Sequence, residues 1–217
     1  MKLLLLGATG RTGKQVLDDA LSSGYHVHCL ARKPERIEKR EELTVFEGDP
    51  SNADDLKKAI HSCDSIISVL NISRTSDFPW SSLRTPREYL STVMSQLMLV
   101  AEANSIKRIV ICSAWGVAET KKYLPGWFRW FIDHSNIGVA YSDHERQEKL
   151  LEGSKMDWTI VRPVGLTNSK RKQHIRETYG NQPKPSLTIN RLSVARYLVG
   201  CLKADDLIGQ KVIISKA

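Results

Sequence analysis

Short apolar segments alternate with amphipathic segments along most of the chain. The runs at 1–6 and 65–70 are mainly apolar and are typical of strands buried on both faces, whereas polar and apolar residues alternate at 25–31, as in another strand. The same reasoning predicts strands at 43–47, 106–112, 157–161, 187–189 and 210–215, and helices at 14–23, 52–61, 87–104 and 194–202, with a further helix through 148–151. This alternation indicates a single α/β domain built on a parallel sheet.

A glycine-rich turn, Gly7-Ala8-Thr9-Gly10-Arg11-Thr12-Gly13, joins the first strand to the first helix. Gly7 tolerates positive φ, Gly10 lets the backbone approach a phosphate, and Gly13 lets the helix pack closely on the strand. Free N–H groups and the positive end of the helix dipole then face an anion. We therefore expect a dinucleotide to bind Gly7, Thr9, Gly10, Arg11, Thr12 and Gly13. The spacing Gly-x-x-Gly-x-x-Gly departs from the Gly-x-Gly-x-x-Gly fingerprint, so simple punctuation of a turn is the alternative.

The end of the second predicted strand carries Arg32 and Lys33, where sites that prefer NAD place a carboxylate. A guanidinium pairs with a 2′-phosphate and a neighbouring ammonium adds charge, which favours NADPH over NADH. Two solvated loop cations are the alternative. Asp49, after the third strand, is expected either to bind the adenine amino group or to cap the following helix. At the end of the fourth strand, Leu70 and Asn71 are predicted to flank the cofactor's ribose.

Composition limits the remaining possibilities. The chain has 217 residues, 41% of them hydrophobic, which suits one domain. No segment approaches the ~20 apolar residues of a membrane span, and the N-terminus lacks the features of a signal peptide, so we expect a soluble cytoplasmic protein without a membrane partner. The four cysteines, Cys29, Cys63, Cys112 and Cys201, lack metal-ligand spacing and are predicted to be buried, reduced thiols, with no metal site.

The net charge of +8 raises the question of nucleic-acid binding. The basic residues are scattered, apart from the run at 170–172, and a diffuse excess more often serves solubility or attraction of anionic ligands. We therefore do not expect a nucleic-acid partner.

Three irregular segments, 72–86, 116–140 and 167–186, are predicted to cover a pocket. The second holds five aromatic residues between 123 and 131. These could cover a flat aromatic substrate, be buried in a lid, or form a dimer contact. At 162–165 the chain is expected to turn away from the sixth strand, and Ser193 is expected to cap the last helix.

Several motifs together resemble the atypical short-chain dehydrogenases, in the NAD(P)H-binding branch that includes biliverdin reductase B and NmrA-like proteins. They are the glycine turn, Ser113-Ala114 at the end of the fifth strand, the segment 158–163 and Ser193-Val194-Ala195. The resemblance covers nearly the whole chain. It implies a Rossmann-type doubly wound parallel sheet, bound NADP(H), and a nicotinamide pocket at the ends of the fourth, fifth and sixth strands, including Pro163 and Val164.

In typical members of that family a serine polarises the substrate and a Tyr-x-x-x-Lys pair supplies the proton. Ser113 matches the serine, but Tyr141 is followed four residues later by Glu145, so the pair is missing. Asp143-His144 resembles the corresponding stretch of biliverdin reductase B. We therefore take Ser113, His144 and Tyr141 as candidate catalytic residues. A histidine packed beneath the cofactor is the alternative for His144, and Asp143 is a candidate cap of its own helix.

These observations favour an NADPH-dependent reductase of a conjugated, flavin-like small molecule, which can take its proton from solvent. Trp115, Trp127 and Trp130 are the candidate substrate contacts. One alternative is an NmrA-like protein that senses NADP(H) and regulates a partner without turnover. A second alternative is a sugar-nucleotide epimerase or dehydratase, which the missing pair and the short C-terminal region disfavour.

Overall fold

The structure of the chain is a computed structural model that describes residues 1–169 and 171–217. Its strands are β1 (Lys2–Leu6), β2 (His26–Ala31), β3 (Leu43–Glu47), β4 (Ser65–Ser68), β5 (Arg108–Cys112), β6 (Asp157–Pro163), β7 (Gly165–Thr167), β8 (Ile175–Thr178), β9 (Thr188–Asn190) and β10 (Gln210–Lys216). Its helices are α1 (Arg11–Ser22), α2 (Ala53–Ile60), α3 (Tyr89–Ala103), α4 (Gly126–His134), α5 (Ile137–Glu152) and α6 (Arg191–Cys201). Lys170, part of the predicted basic run, lies outside the described residues.

Eight strands form one sheet in the order β3-β2-β1-β4-β5-β6-β10-β8. All neighbours are parallel except β8, which runs antiparallel to β10. The chain winds outward from β1 in one direction through β2 and β3, then returns to β4 on the other side of β1. The predicted Rossmann-type doubly wound sheet is therefore confirmed, and its topological switch point lies between β1 and β4.

Helices cover both faces of this sheet and make two hydrophobic cores. Leu3 and Leu5 of β1 point into the core that contains residues of α1 and α6, whereas Leu4 and Leu6 point into the core that contains residues of α2, α3 and α5. All four leucines are fully buried. Burial on both faces explains why β1 is continuously apolar rather than alternating.

The segments predicted as covering loops contain regular structure. Residues 126–134 form helix α4, although their aromatic residues show no simple pattern. Within 167–186, the short strand β8 joins the edge of the main sheet through β10, so this part of the segment is not a cover. Strands β7 and β9 form a separate two-stranded parallel ribbon.

Three predicted helix caps are corrected by the structure. Asn52, not Asp49, caps α2 by accepting hydrogen bonds from the amides of Asp54 and Asp55. Asn190, not Ser193, caps α6, because its side chain accepts from the Ser193 amide at 2.8 Å. The third predicted cap, Asp143, caps a helix other than the one that contains it.

Asp143 lies inside α5 and caps the neighbouring helix α3 rather than its own. Its carboxylate accepts hydrogen bonds from the Leu90 amide at 2.6 Å and from the Ser91 hydroxyl at 2.6 Å. The side chain is fully buried. The first amides of a helix have no hydrogen-bond partner within the helix. A buried carboxylate there accepts hydrogen bonds from them, and its negative charge interacts favourably with the positive end of the helix dipole.

The sequence predicted a turn beginning at Arg162, but Arg162 is part of β6. Its guanidinium donates to Glu148 from Nε at 3.1 Å and from Nη2 at 2.5 Å, and its Nη1 donates to Glu119 at 2.5 Å. Burial lowers the pKa of this guanidinium, but the hydrogen bonds and charges of the two carboxylates outweigh burial and raise it. This charged cluster joins α5 to the sheet beneath it.

Within the described residues, no helix is both long and apolar enough to cross a bilayer.

Replacing Glu148 with alanine is expected to destabilise the fold by roughly 3–5 kcal/mol, because it leaves the buried Arg162 charge without its main partner. Glu119→Ala is the matched control and should cost less stability. The Glu119 side chain is 52% exposed, so water can replace its carboxylate, whereas the Glu148 side chain is 1% exposed. Urea unfolding of both variants measures the difference. Equal losses of unfolding free energy would contradict this account.

Candidate cofactor-binding site

A cleft of about 440 Å³ opens at the carboxyl ends of β1, β2, β4 and β5, across the switch point. This is the position at which ligands bind open α/β sheets. The structure brings together eleven of the predicted site residues there, namely Gly7, Thr9, Gly10, Arg11, Thr12, Gly13, Arg32, Leu70, Asn71, Ser113 and His144. Four other predicted cofactor-binding residues do not line it: Lys33, Asp49, Pro163 and Val164.

The glycine turn is held in a shape that excludes side chains at two positions. Gly7 has φ of +91°, and a Cβ there would lie 3.0 Å from the Val69 carbonyl group. A Cβ at Gly13 would lie only 2.0 Å from the Gly7 carbonyl oxygen. The first turn of α1 therefore packs directly on the strand that precedes it, and this contact sets the floor of the cleft.

No side chain among the described residues caps the N-terminus of α1. Gly10 occupies the capping position and supplies no side chain, and the first turn contains no acidic residue. Helix α2, by contrast, has the Asn52 cap with Asp54 and Asp55 in its first turn. Free amides and an uncompensated positive dipole are the arrangement that binds the pyrophosphate of a dinucleotide. The residues present therefore fit such a cofactor.

Two arginines and an aspartate surround the mouth of this phosphate site. Arg11 pairs with Asp77 through two hydrogen bonds of 2.8 and 3.1 Å, and Arg191 donates to the Asn168 side chain at 2.6 Å. Burial, together with the nearby charge on Arg11, lowers the pKa of Arg191. Sequence reasoning missed Asp77 and Arg191, and only the Arg- and Ser-rich composition of 72–86 hinted at the former.

Arg32 lies at the adenine end of the cleft beside Tyr89 and Asp49. Its guanidinium is 5.6 Å from the centre of the Tyr89 ring, and its Nη1 is 3.9 Å from an Asp49 oxygen. Burial raises the pKa of Asp49, but hydrogen bonds from Ser51 and Tyr89 and the charge on Arg32 lower it below the usual value. The Arg32 side chain is half-exposed, which leaves it accessible to a phosphate group.

Ser113 follows β5 and lines the cleft. Its amide donates to the Val161 carbonyl at 2.7 Å, which fixes the backbone. Its Oγ is buried and has no hydrogen-bond partner among the described residues. Since buried hydroxyls are normally paired, this unpaired group on the cleft wall points to a ligand as its partner.

His144 faces the cleft from α5 and is buried. Burial lowers its pKa to about 4, although the Gln147 side chain and the charge on Asp143 oppose the shift. Its Nδ1 lies 3.3 Å from the Gln147 amide oxygen. At neutral pH the imidazole is therefore uncharged, and it is suited to orienting a ligand rather than to donating a proton.

The structure separates Tyr141 from Ser113 and His144. The Tyr141 hydroxyl lies 3.4 Å from the Trp115 carbonyl oxygen, and its ring lines a second cavity of about 420 Å³. Burial raises the pKa of this phenol. Tyr141 therefore does not line the cofactor cleft, and it has no role in the proposed chemistry.

None of the three tryptophans predicted to contact substrate lines the cleft. Trp115 is buried in the core on the α1 side of the sheet, and its indole nitrogen has no partner among the described residues. Trp127 and Trp130 lie on α4 with more than half of each side chain exposed. The cleft wall that the sequence assigned to them is supplied instead by residues of the 72–86 segment, including Ser73, Arg74 and Asp77.

Comparison with known proteins agrees with this geometry. A family model described as NAD(P)H-binding matches residues 7–205. The chain is 24% identical to the oxidoreductase nsrR of Aspergillus novofumigatus over 78% of this chain and 68% of that protein. It is 30% identical to the photosystem II assembly factor Ycf39 of Trieres chinensis over 84% of this chain, and it spans only 51% of that protein's length.

Solved structures show the same fold. The anaerobillin reductase ChuY of Escherichia coli O157:H7 superposes with a TM-score of 0.81 at 20% identity, over 100% of this chain and 97% of that one. A short-chain dehydrogenase/reductase from Veillonella parvula, solved in complex with NADP, gives a TM-score of 0.81 at 17% identity, over 99% and 94% of the two chains. These likenesses show the fold, and the family match supports the nicotinamide cofactor that the resemblance drawn from the sequence implied.

Gly13→Ala is expected to lower both stability and cofactor affinity, because its methyl group would push α1 away from the Gly7 carbonyl. The matched control is Gly200→Ala in α6, where a Cβ meets nothing within 4 Å. That change is expected to be neutral or to stabilise by up to about 1 kcal/mol. Thermal unfolding and cofactor titration test both variants, and normal cofactor affinity in folded Gly13→Ala would contradict the role of this contact.

Arg32→Asp is expected to weaken NADPH binding by roughly 10- to 100-fold, since it removes a charged hydrogen-bond donor from the 2′-phosphate. NADH, which lacks that phosphate, should bind almost as before. Arg36→Asp, an exposed charge reversal in the next turn, serves as the control. Parallel titrations with the two cofactors measure the ratio. An equal loss for NADPH and NADH would show that Arg32 does not read the phosphate.

His144 is expected to make folding stability depend on pH between 6.5 and about 4. Its pKa in the folded state lies below the ordinary value of 6.5, so the unfolded chain binds the extra proton first as the pH falls. Above pH 6.5 the imidazole is neutral in both the folded and the unfolded chain, so it does not change the free energy of unfolding. Below pH 6.5 the free energy of unfolding falls, by roughly 3 kcal/mol as the pH approaches 4. His144→Gln should flatten this part of the profile relative to wild type. Superimposable profiles for wild type and His144→Gln would refute the assignment.

Proposed function

The chain belongs to the NAD(P)H-binding family, and from this premise we propose that it is an NADPH-dependent reductase that delivers hydride to a conjugated small molecule such as a flavin. The observation that carries the proposal is the pairing of a phosphate cradle with the unpaired Ser113 hydroxyl on one cleft wall. The preference for NADPH rests on Arg32. Four free thiols suit a reducing compartment, and the cytoplasm remains the expected location.

A bound nicotinamide supplies hydride, and the chain supplies binding and orientation. The α1 amides would hold the pyrophosphate, with Arg11 and Arg191 nearby as counter-charges. Ser113 would donate a hydrogen bond to a carbonyl oxygen or ring nitrogen of the acceptor and so stabilise negative charge at that atom. His144 lines the same cleft and is uncharged at neutral pH.

The chemistry of the cleft limits the acceptor. Among the described cleft residues, neither His144 nor Ser113 can donate a full proton near neutral pH, and Tyr141 is turned into another cavity. Reduction of an isolated ketone or aldehyde creates a strongly basic alkoxide that needs an acid at hand. A conjugated acceptor spreads the charge and takes its proton from water. The likeness to a structure described as an anaerobillin reductase supports a reductase on this fold.

Among the described residues, the part of the cleft at Ser113 and His144 has no ready proton donor, and this favours a second candidate, a non-catalytic protein that binds NADP(H) and reports redox state to a partner. The two proposals differ in turnover. If NADPH binds tightly but is not oxidised above background with flavins, quinones, tetrapyrroles or aldehydes, the sensor is favoured and the reductase is rejected. NADPH oxidation with aldehydes as the only productive acceptors would reject the restriction to conjugated acceptors.

Ser113→Ala is expected to lower kcat with the best acceptor by roughly 10- to 100-fold and to leave NADPH affinity unchanged. Ser65→Ala is a matched control, because Ser65 is also buried with an unpaired hydroxyl but lies at the opposite end of its strand from the cleft. Tyr141→Phe should retain wild-type kcat. Stopped-flow measurement of NADPH oxidation separates the three. A large loss in Tyr141→Phe together with a normal rate in Ser113→Ala would overturn the proposed roles.

A further inference from the structure

Five aromatic side chains form a continuous exposed surface outside the cofactor cleft, here called the aromatic surface: Phe78, Trp80, Trp127, Trp130 and Phe131. Four of them are strongly exposed, with Phe78 at 61%, Trp80 at 43%, Trp127 at 63% and Trp130 at 51%. Neighbouring ring centres are 5.3 to 6.4 Å apart. The rings therefore form one patch rather than scattered apolar residues.

Specific hydrogen bonds hold the two halves of the aromatic surface together. The Trp80 indole donates to the His134 carbonyl at the end of α4 at 2.7 Å. The Asn136 amide donates to the Pro79 carbonyl at 3.0 Å, and its side chain donates to the carbonyls of Trp80 and Ser81. The 72–86 segment is thus fixed against α4, and the surface exists before any partner binds.

The fold does not need these rings for its core. Helix α4 is anchored by Ile132, which is buried, and by partly buried Phe128, which contacts Tyr141. None of the five aromatic residues lines the cofactor cleft. Exposed apolar area of a few hundred Å² that serves neither core nor active site is typical of an interaction surface.

Unpaired positive charge accompanies the aromatic surface. The negative groups of these segments are engaged: Asp133 pairs with Lys121, and Asp77 pairs with Arg11. Lys122, Arg129 and Arg84 are exposed or partly exposed and have no carboxylate partner among the described residues. The partner that fits therefore combines an apolar layer with negative charge.

We propose that the aromatic surface docks the protein onto a lipid bilayer that contains anionic headgroups. Tryptophan favours the boundary between headgroups and acyl chains, because its ring is apolar and its N–H is polar. A short helix with aromatic residues outward lies in the plane of that boundary, and Lys and Arg side chains beside it attract anionic lipids. From the sequence we expect no membrane partner, because no segment approaches the length of a membrane span, but docking on a bilayer surface needs no spanning segment.

A second copy of the chain fits this surface less well. The four strongly exposed rings offer roughly 450 Å², below the ~800 Å² per partner of a standard interface. A symmetric dimer would also bring the Lys122, Arg129 and Arg84 side chains of both copies into one interface, where their like charges repel. A bilayer meets both constraints, since a few interfacial rings and several cations suffice there.

The docking site is joined to the cofactor cleft through one segment. Residues 72–86 carry Phe78 and Trp80 on the aromatic surface and also supply Asp77, which pairs with Arg11 in the glycine turn. A bilayer bound to Phe78 and Trp80 therefore contacts the same segment that lines the cleft.

Vesicle flotation tests the proposal with the full chain. Vesicles of phosphatidylcholine alone are compared with vesicles that also contain phosphatidylglycerol, with and without added salt. We expect binding to the anionic vesicles, weakening with salt, and a blue shift of tryptophan fluorescence. Trp127→Ala/Trp130→Ala should reduce binding by roughly tenfold or more for each indole removed and should abolish most of the blue shift. Leu99→Ala, which shortens a side chain that is 65% exposed on α3, should change neither.

Charge variants test the cationic contribution. Lys122→Glu and Arg129→Glu should each reduce binding to anionic vesicles by about fivefold or more, whereas Lys155→Glu, an exposed reversal in the turn after α5, should not. No binding by wild type, equal binding by the double tryptophan variant, or equal losses in the Leu99 and Lys155 controls would each overturn the proposal. A dimer in gel filtration that the double variant dissociates, without vesicle binding, would assign the surface to a second copy instead.

Discussion

The close approach between the start of α1 and the end of β1 is the contact on which the rest of this structure depends. A single methyl group at Gly13 would lie 2.0 Å from the Gly7 oxygen, so only glycine permits it. This contact brings the free amides of α1 to the edge of the sheet where the strand order reverses. The phosphate cradle, the two arginines at its mouth and the adenine end at Arg32 all take their positions from that geometry.

A second feature, the polar face of α5, separates structural residues from those left for chemistry. Asp143 caps α3, and Glu148 neutralises Arg162 beneath the helix. Both carboxylates are thus fully engaged in holding α5 against its neighbours. His144 and, across the cleft, Ser113 remain, one kept neutral by burial and the other unpaired. A site built from these two groups can orient a ligand and stabilise charge, but it cannot supply a proton readily.

The two ends of the cleft therefore differ. The phosphate cradle lies at one end, and the NAD(P)H-binding family match agrees with it. At the other end, the tyrosine that a typical short-chain dehydrogenase uses is directed toward the Trp115 carbonyl. The reaction we propose is one that tolerates this arrangement. The aromatic surface lies beyond the cleft and is independent of it, apart from the segment they share.

The sequence by itself determined the parallel α/β class, most of the strands and helices, the glycine turn and the position of Ser113, because periodicity and turn chemistry are local; the doubly wound class followed from the family resemblance. It also placed Leu70, Asn71 and Arg32 correctly at strand ends that meet along one edge. Only the tertiary structure decided that Arg162 is buried, that Asp143 caps another helix, that β8 joins the sheet, and that Trp127 and Trp130 face outward. Each of those outcomes depends on a partner far along the chain: Asp143 and Leu90 are separated by 53 residues, and Arg162 and Glu119 by 43. The local sequence pattern cannot specify such pairs. Several carboxylates could have paired with Arg162, and only the packing of the chain places Glu119 and Glu148 beside it.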